Sequence, residues 1–194
     1  MSKTIRTKVF SFNELSEEAK KVAIKNEIND YQRNGEPLMF FDEYFKEIAK
    51  EEGFFINKLC YSLSYCQGDG LSFSGSIDID KLLNEFKPVL KQSVKEVIKL
   101  YLCVNIRHNN GHYCYASNKD IDIFLNDNLK EYKNIENLVS NFENFVRVKY
   151  LELCKELESE GYNIIEREGS EEAATDRLND SENLYTKDGK IFNY

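Results

Sequence analysis

A glycine-flanked aspartate, two histidines astride a turn and two runs of like charge are the residues of this 194-residue chain whose types and spacing could do chemistry. In Gln67-Gly68-Asp69-Gly70 the glycines let the backbone approach a ligand closely, and Asp69 could take a cation or a hydroxyl. One carboxylate is no calcium site, because a calcium loop needs several oxygen ligands at fixed offsets. No Gly-Lys-Ser/Thr follows, so it is no phosphate loop; turn chemistry explains the segment unaided, which leaves Gln67 and Asp69 as a loop candidate. His108 and His112, the only histidines, flank Asn109-Asn110-Gly111. A tight turn would bring them together, and Cys103 or Cys114 could join them on zinc, but the spacing matches no standard zinc pattern and a polar hairpin rim accounts for them. Ser, Cys and His occur without a nucleophile signature. The sequence therefore supports no catalytic residue, no metal ligand and no cofactor.

Charge is the other resource. Lys87, Lys91, Lys95 and Lys99 recur every four residues, a step that drifts by only about 40° on a helix, so they would share one broad face able to meet phosphate or an acidic protein. A solvated face opposite the apolar one is the plainer reading. Glu166, Glu168, Glu171, Glu172 and Asp176 cluster near the end. Between Glu152 and Asp188 twelve acids stand against four bases, so the net charge of −8 belongs to the C-terminal fifth. Spaced carboxylates repel nucleic acid and can imitate its phosphates toward a basic protein groove, although solubility alone also explains an acidic face.

The elements that must position these residues read as one domain, 1–194, of α+β class. Apolar residues make up 41% of the chain, with 13 Phe and 12 Tyr, enough for a real core. Five cysteines, an odd number without framework spacing, read as reduced thiols in a cytoplasm. No apolar run reaches the roughly 18–20 residues of a membrane span, and no signal peptide is expected.

Thr4–Phe12 has strand composition. Ser16 with Glu17 and Glu18 opens a helix that Asn34-Gly35 stops. Phe40, Phe41, Tyr44, Phe45, Ile48 and Ala49 mark a second helix. Phe54–Tyr65 and Leu71–Ile79 alternate as two strands of a hairpin. A short helix over 80–86 precedes a helix in whose first turn Pro88 sits, running to about Lys99. Strands follow over 100–107 and from His112 to Phe124, with an irregularity near Asn118. A long helix from about Ile135 ends at Gly161; 163–166 reads as a short strand, Ser170-Glu171-Glu172 opens an acidic helix, and 184–192 resembles a small hairpin. Hairpins dominate, so the expectation is an antiparallel or mixed sheet packed against several amphipathic helices.

Several segments resemble a family of small phage and prophage proteins. They are Phe12-Asn13-Glu14-Leu15-Ser16-Glu17-Glu18-Ala19-Lys20, the block Tyr61-Ser62-Leu63-Ser64-Tyr65-Cys66-Gln67-Gly68-Asp69-Gly70 with Leu71-Ser72-Phe73-Ser74-Gly75 after it, Gly111-His112-Tyr113, Ser170-Glu171-Glu172-Ala173 and Lys187-Asp188-Gly189-Lys190-Ile191-Phe192. Cys66 stands where the pattern leads one to expect Ser. The family is similar to proteins that include anti-CRISPR inhibitors of Cas9. The resemblance implies no catalytic residue. It implies a binding protein in the cytoplasm of a host bacterial cell whose partner is a Cas9-type nuclease or its nucleic-acid complex, inhibited by surface occlusion. A metal-dependent enzyme using the His108/His112 turn, and a phage interaction protein with no defence role, are the alternatives.

Overall fold

A computed structural model describes residues 7–34, 41–108, 113–125 and 133–193. The class is α+β, as the pattern predicts: the described residues form six α-helices and a four-stranded antiparallel sheet of order β1-β2-β3-β4. The chain forms two compact units, residues 1–40 with 163–194 and residues 41–162.

In the first unit the described part of the predicted N-terminal strand is not a strand. Phe10 makes one antiparallel bridge, to Tyr185, and Phe12–Glu14 turn as a 3-10 segment. The reason is local. The Ser11 N–H and hydroxyl both donate to Glu14 Oε2, at 2.9 and 3.0 Å, which bends the chain before a second pairing can form. Ser16 then caps α1 (Glu17–Asn34) by accepting from the Ala19 N–H at 3.3 Å. The helix stop proposed at Asn34-Gly35 falls beyond the described side chains. Phe12, Leu15, Ala19, Ala23, Leu178 and Tyr185 form the core of this unit.

The second unit opens with α2 (Phe41–Glu51), whose Phe41, Phe45 and Ala49 are buried. The predicted hairpin is present: β1 (Phe54–Ser62) pairs with β2 (Gly70–Ile77), with an irregularity between Ile56 and Lys58. After α3 (Ile79–Phe86), the turn at Pro88-Val89 separates it from α4 (Gln92–Tyr101); Pro88 therefore ends one helix rather than starting the next. β3 (Leu102–His108) pairs along its length with β4 (Lys119–Leu125), which follows a 3-10 turn at Ala116–Asn118, later than the start predicted at His112. The Asn109-Asn110-Gly111 turn lies outside the described residues.

The long α5 (Lys133–Glu168) passes straight through Gly161. Neither the helix end predicted there nor the strand over 163–166 exists. Gly161 serves close approach instead: a Cβ at this position would lie 2.5 Å from Leu63 Cδ1. The last turns of α5, from Asn163, belong to the first unit, as do α6 (Glu171–Asp180), capped by Ser170 accepting from the Ala173 N–H at 3.1 Å, and the small terminal turn bridged by Tyr185 and Ile191.

The core of the second unit centres on Phe54, Phe73 and Tyr150, whose rings meet at 4.7–6.2 Å between centroids. Tyr150, on α5, also does the work of a strand. Its hydroxyl accepts from the Phe73 N–H at 3.0 Å and donates to the Phe73 carbonyl at 2.8 Å. Among the described residues β2 pairs with β3 at the single position Gly75↔Ile106, and these buried main-chain groups of β2 take their partners from a side chain.

Candidate functional site

β1 and β2 are joined by residues 63–69, and this loop folds around one carboxylate. Asp69 Oδ2 accepts from the Ser64 N–H at 2.7 Å, the Cys66 N–H at 3.0 Å and the Tyr162 hydroxyl at 2.6 Å. Asp69 Oδ1 accepts from the Ser62 hydroxyl at 2.9 Å and the Cys66 thiol at 3.1 Å. Burial alone would raise the carboxyl pKa; the donations from Tyr162, Cys66 and Ser62 outweigh it and hold it well below the usual carboxylate range. Tyr162, removed from water and donating to that charge, is pushed up from the ordinary phenol value. The two N–H groups on Oδ2 bracket Tyr65, and Tyr65 has φ of +57°, the one described non-glycine residue with positive φ. For a bulky side chain that conformation costs about 1–2 kcal/mol, so it persists only where the surroundings over-determine it.

Aromatic rings flank the loop on two sides. The Tyr65 ring lies 4.7 Å from that of Tyr162 and is 63% exposed. Tyr113, 54% exposed, stacks on Tyr115 at 5.3 Å with 26° between planes. The Tyr115 hydroxyl donates to the Gln67 carbonyl at 2.6 Å, and a Cβ on Gly68 would sit 3.3 Å from the Tyr113 ring. Beneath the loop the Cys60 and Cys114 sulfurs are 2.9 Å apart.

This arrangement redefines the loop candidate. Asp69 is a structural acceptor for the chain's own hydroxyls and amides, and Gln67 contributes its carbonyl while its side chain is exposed. At the position where Ser was expected, the thiol of Cys66 donates to Asp69. The residues that present chemistry outward are tyrosines. Sequence reading missed their anchor Tyr162 because it comes from α5, 93 residues from Asp69, and because Gly161 reads as a stop. The two-residue spacing of Tyr113 and Tyr115, which places both on one face of an extended segment, was the available signal.

The lysines do not form a stripe. Lys87 is the C-cap of α3 and Lys91 the N-cap of α4, so only Lys95 and Lys99 share a helix. Lys95 is 9% exposed and donates to Asn84, and Lys99 pairs with Asp80; Lys87 and Lys91 are exposed. The acids fare differently. Glu166 is exposed near the end of α5, and Glu171, Glu172 and Asp176 are exposed on α6. Glu168 is half-buried between Arg167 at 3.2 Å and Arg177 at 3.9 Å. Arg177 is the centre of this corner: it pairs with Glu27 at 2.8 Å, donates to the Glu168 carbonyl at 3.0 Å and lies 4.1 Å over the Tyr31 ring.

His112 and the side chains of His108 and Cys103 lie outside the described residues. Among the described residues, no three His, Cys, Asp or Glu side chains are placed to hold a metal ion. No helix among them is long and apolar enough to cross a membrane. No family model, curated protein or solved structure matches the chain.

Proposed function

We propose that the chain is a phage-encoded binding protein that inhibits a bacterial defence nuclease, a Cas9-type enzyme or its nucleic-acid complex, by occluding its surface in the host cytoplasm. One observation carries the binding reading. Tyr65 is an exposed aromatic ring on a left-handed backbone that five hydrogen bonds to Asp69 hold in place. Rigid tyrosines supply large contact area at low entropic cost, and serine, glycine and tyrosine around them are the composition of binding loops. The choice of target rests on the resemblance of the Tyr61–Gly70 block. The exposed carboxylates of Glu166, Glu171, Glu172 and Asp176 add an electrostatic contribution toward a basic groove. The lysine alternative is the weaker one, since Lys95 is buried and Lys99 is paired.

The test is cleavage of target DNA by a guide-loaded Cas9-type nuclease titrated with the purified chain. Wild type should suppress cleavage. Tyr65→Gly should weaken suppression by ~10-fold or more, the scale of a central interface residue. Joint reversal of Glu166, Glu171 and Glu172 to Lys should weaken it in a salt-dependent way, and Lys87→Glu with Lys91→Glu should leave it unchanged. Undiminished cleavage at stoichiometric excess, across nucleases of the relevant hosts, removes the inhibitor reading. Full suppression by Tyr65→Gly removes the loop as its contact.

A further inference from the structure

The odd, unframed set of five cysteines reads from sequence as reduced thiols, yet two of them meet. Cys60 lies on β1, opposite Ser72 of β2, and Cys114 lies in the segment that precedes β4. Their sulfurs approach to 2.9 Å although 54 residues separate them in the chain. Less than ~1 Å further brings them to the disulfide length of about 2.05 Å. The approach is imposed by the main chain: a Cβ on Gly70 would stand 3.4 Å from the Cys114 carbonyl group and 3.0 Å from the Tyr115 ring, so the 114–115 segment is packed on the start of β2, beside β1. Both sulfurs are half-buried, whereas Cys66 is exposed and Cys154 is buried.

We infer that Cys60 and Cys114 are a redox-modifiable pair that closes to a disulfide beneath the tyrosine-flanked loop by exchange with a small-molecule disulfide such as oxidised glutathione. The reaction balances as a two-electron exchange. One protein thiol loses its proton and attacks the small disulfide, breaking its S–S bond and expelling one small thiolate. The second, deprotonated in turn, attacks the resulting mixed disulfide; the protein S–S bond forms and the second small thiolate leaves. The two cysteines are oxidised, and two small thiols, protonated by the protons released, are the reduced product. Burial first, and the contact with Cys60 second, push the Cys114 thiol up to about 12. Cys114 therefore stays protonated near neutral pH, and exchange quickens as pH rises. The product ties β1 to the segment bearing Tyr113 and Tyr115, which supports the loop through Gln67 and Gly68.

The experiment incubates the intact native chain with millimolar oxidised glutathione at pH 8, blocks remaining thiols by alkylation, digests without reductant and maps the products by mass spectrometry. The expected result is loss of two thiols in a monomer, one linked peptide pair containing Cys60 and Cys114, and full reversal by dithiothreitol. Cys60→Ser and Cys114→Ser should each abolish the two-thiol loss; the peptide map of the wild-type chain decides the matter if either variant fails to fold. Retention of all thiols, glutathione found only on Cys66, a cross-link through any other cysteine, or covalent dimers in place of the linked monomer would each overturn the inference.

Discussion

Replacing Asp69 by Asn leaves the size of the side chain almost unchanged and removes its charge, which isolates what holds Tyr65. Asparagine offers one acceptor oxygen where the carboxylate offers two. The less costly orientation keeps that oxygen at the Oδ2 position, where the Ser64 and Cys66 N–H groups and the Tyr162 hydroxyl converge at 2.6–3.0 Å. Those three bonds lose their charge assistance, and the Ser62 hydroxyl and Cys66 thiol lose their acceptor and turn to water. An ordinary hydrogen bond contributes about 1 kcal/mol net, and one to a charged group about 1.5–3. Three bonds weakened by about 0.5–2 kcal/mol each and two lost at about 1.5–3 each make a gross loss of about 5 kcal/mol or more; water reaches this half-buried loop and replaces most of it, leaving about 2 kcal/mol. The left-handed conformation of Tyr65 costs about 1–2 kcal/mol, so a loss of this size is enough to release it. Urea denaturation followed by tyrosine fluorescence, which no tryptophan obscures, should give that difference. Amide exchange at Ser64 and Cys66 should speed up by roughly 10–30-fold, the same free energy expressed locally. The pH dependence has a definite sign. The folded-state pKa of Asp69 is held below its unfolded value of about 3.9, so its contribution is complete above about pH 4 and is lost as pH falls through the lowered folded value. The gap between wild type and variant should therefore close in acid. An unchanged urea midpoint together with unchanged exchange at both amides would refute the claim that Asp69 holds the loop.

Tyr65→Gly relieves the backbone strain and gives up the ring contact with Tyr162, two effects of about 1 kcal/mol and opposite sign, so stability should stay within about 1 kcal/mol of wild type while binding to the target falls. Tyr150→Phe strips both partners from the buried Phe73 main chain and should cost about 2–3 kcal/mol in urea denaturation. In Gly75→Ala the new Cβ would lie 1.9 Å from the Phe55 carbonyl oxygen, a main-chain atom that cannot yield cheaply; a loss of about 3 kcal/mol or more, read by thermal unfolding, is expected. Closing the Cys60–Cys114 bond across 54 residues should raise stability by up to about 4 kcal/mol on the loop-entropy relation, visible as a higher midpoint without reductant than with it.

Local chemistry made much of the fold legible in advance. Ser16 and Ser170 cap the helices that their Glu-rich first turns announce, because caps and end charges act within one turn. The alternation of Leu71, Phe73, Gly75 and Ile77 with serines predicts β2 and its hairpin, because successive side chains of a strand point to opposite faces. The four-residue spacing of the lysines described a helix face that does not exist, because the turn at Pro88 places Lys87 and Lys91 at helix ends. The reading of Gly161 failed for a different reason. A glycine that ends a helix and one that lets Leu63 press against it look the same in one dimension, and only packing separates them. The same limit applies at the site. Asp69 was visible as a turn residue, but its partner Tyr162 lies 93 residues away, and Cys60 meets Cys114 across 54. Which distant hydroxyl reaches a carboxylate, which two thiols meet and which ring fills the gap beside a strand depend on how the helices and sheet pack. No short-range pattern encodes those choices.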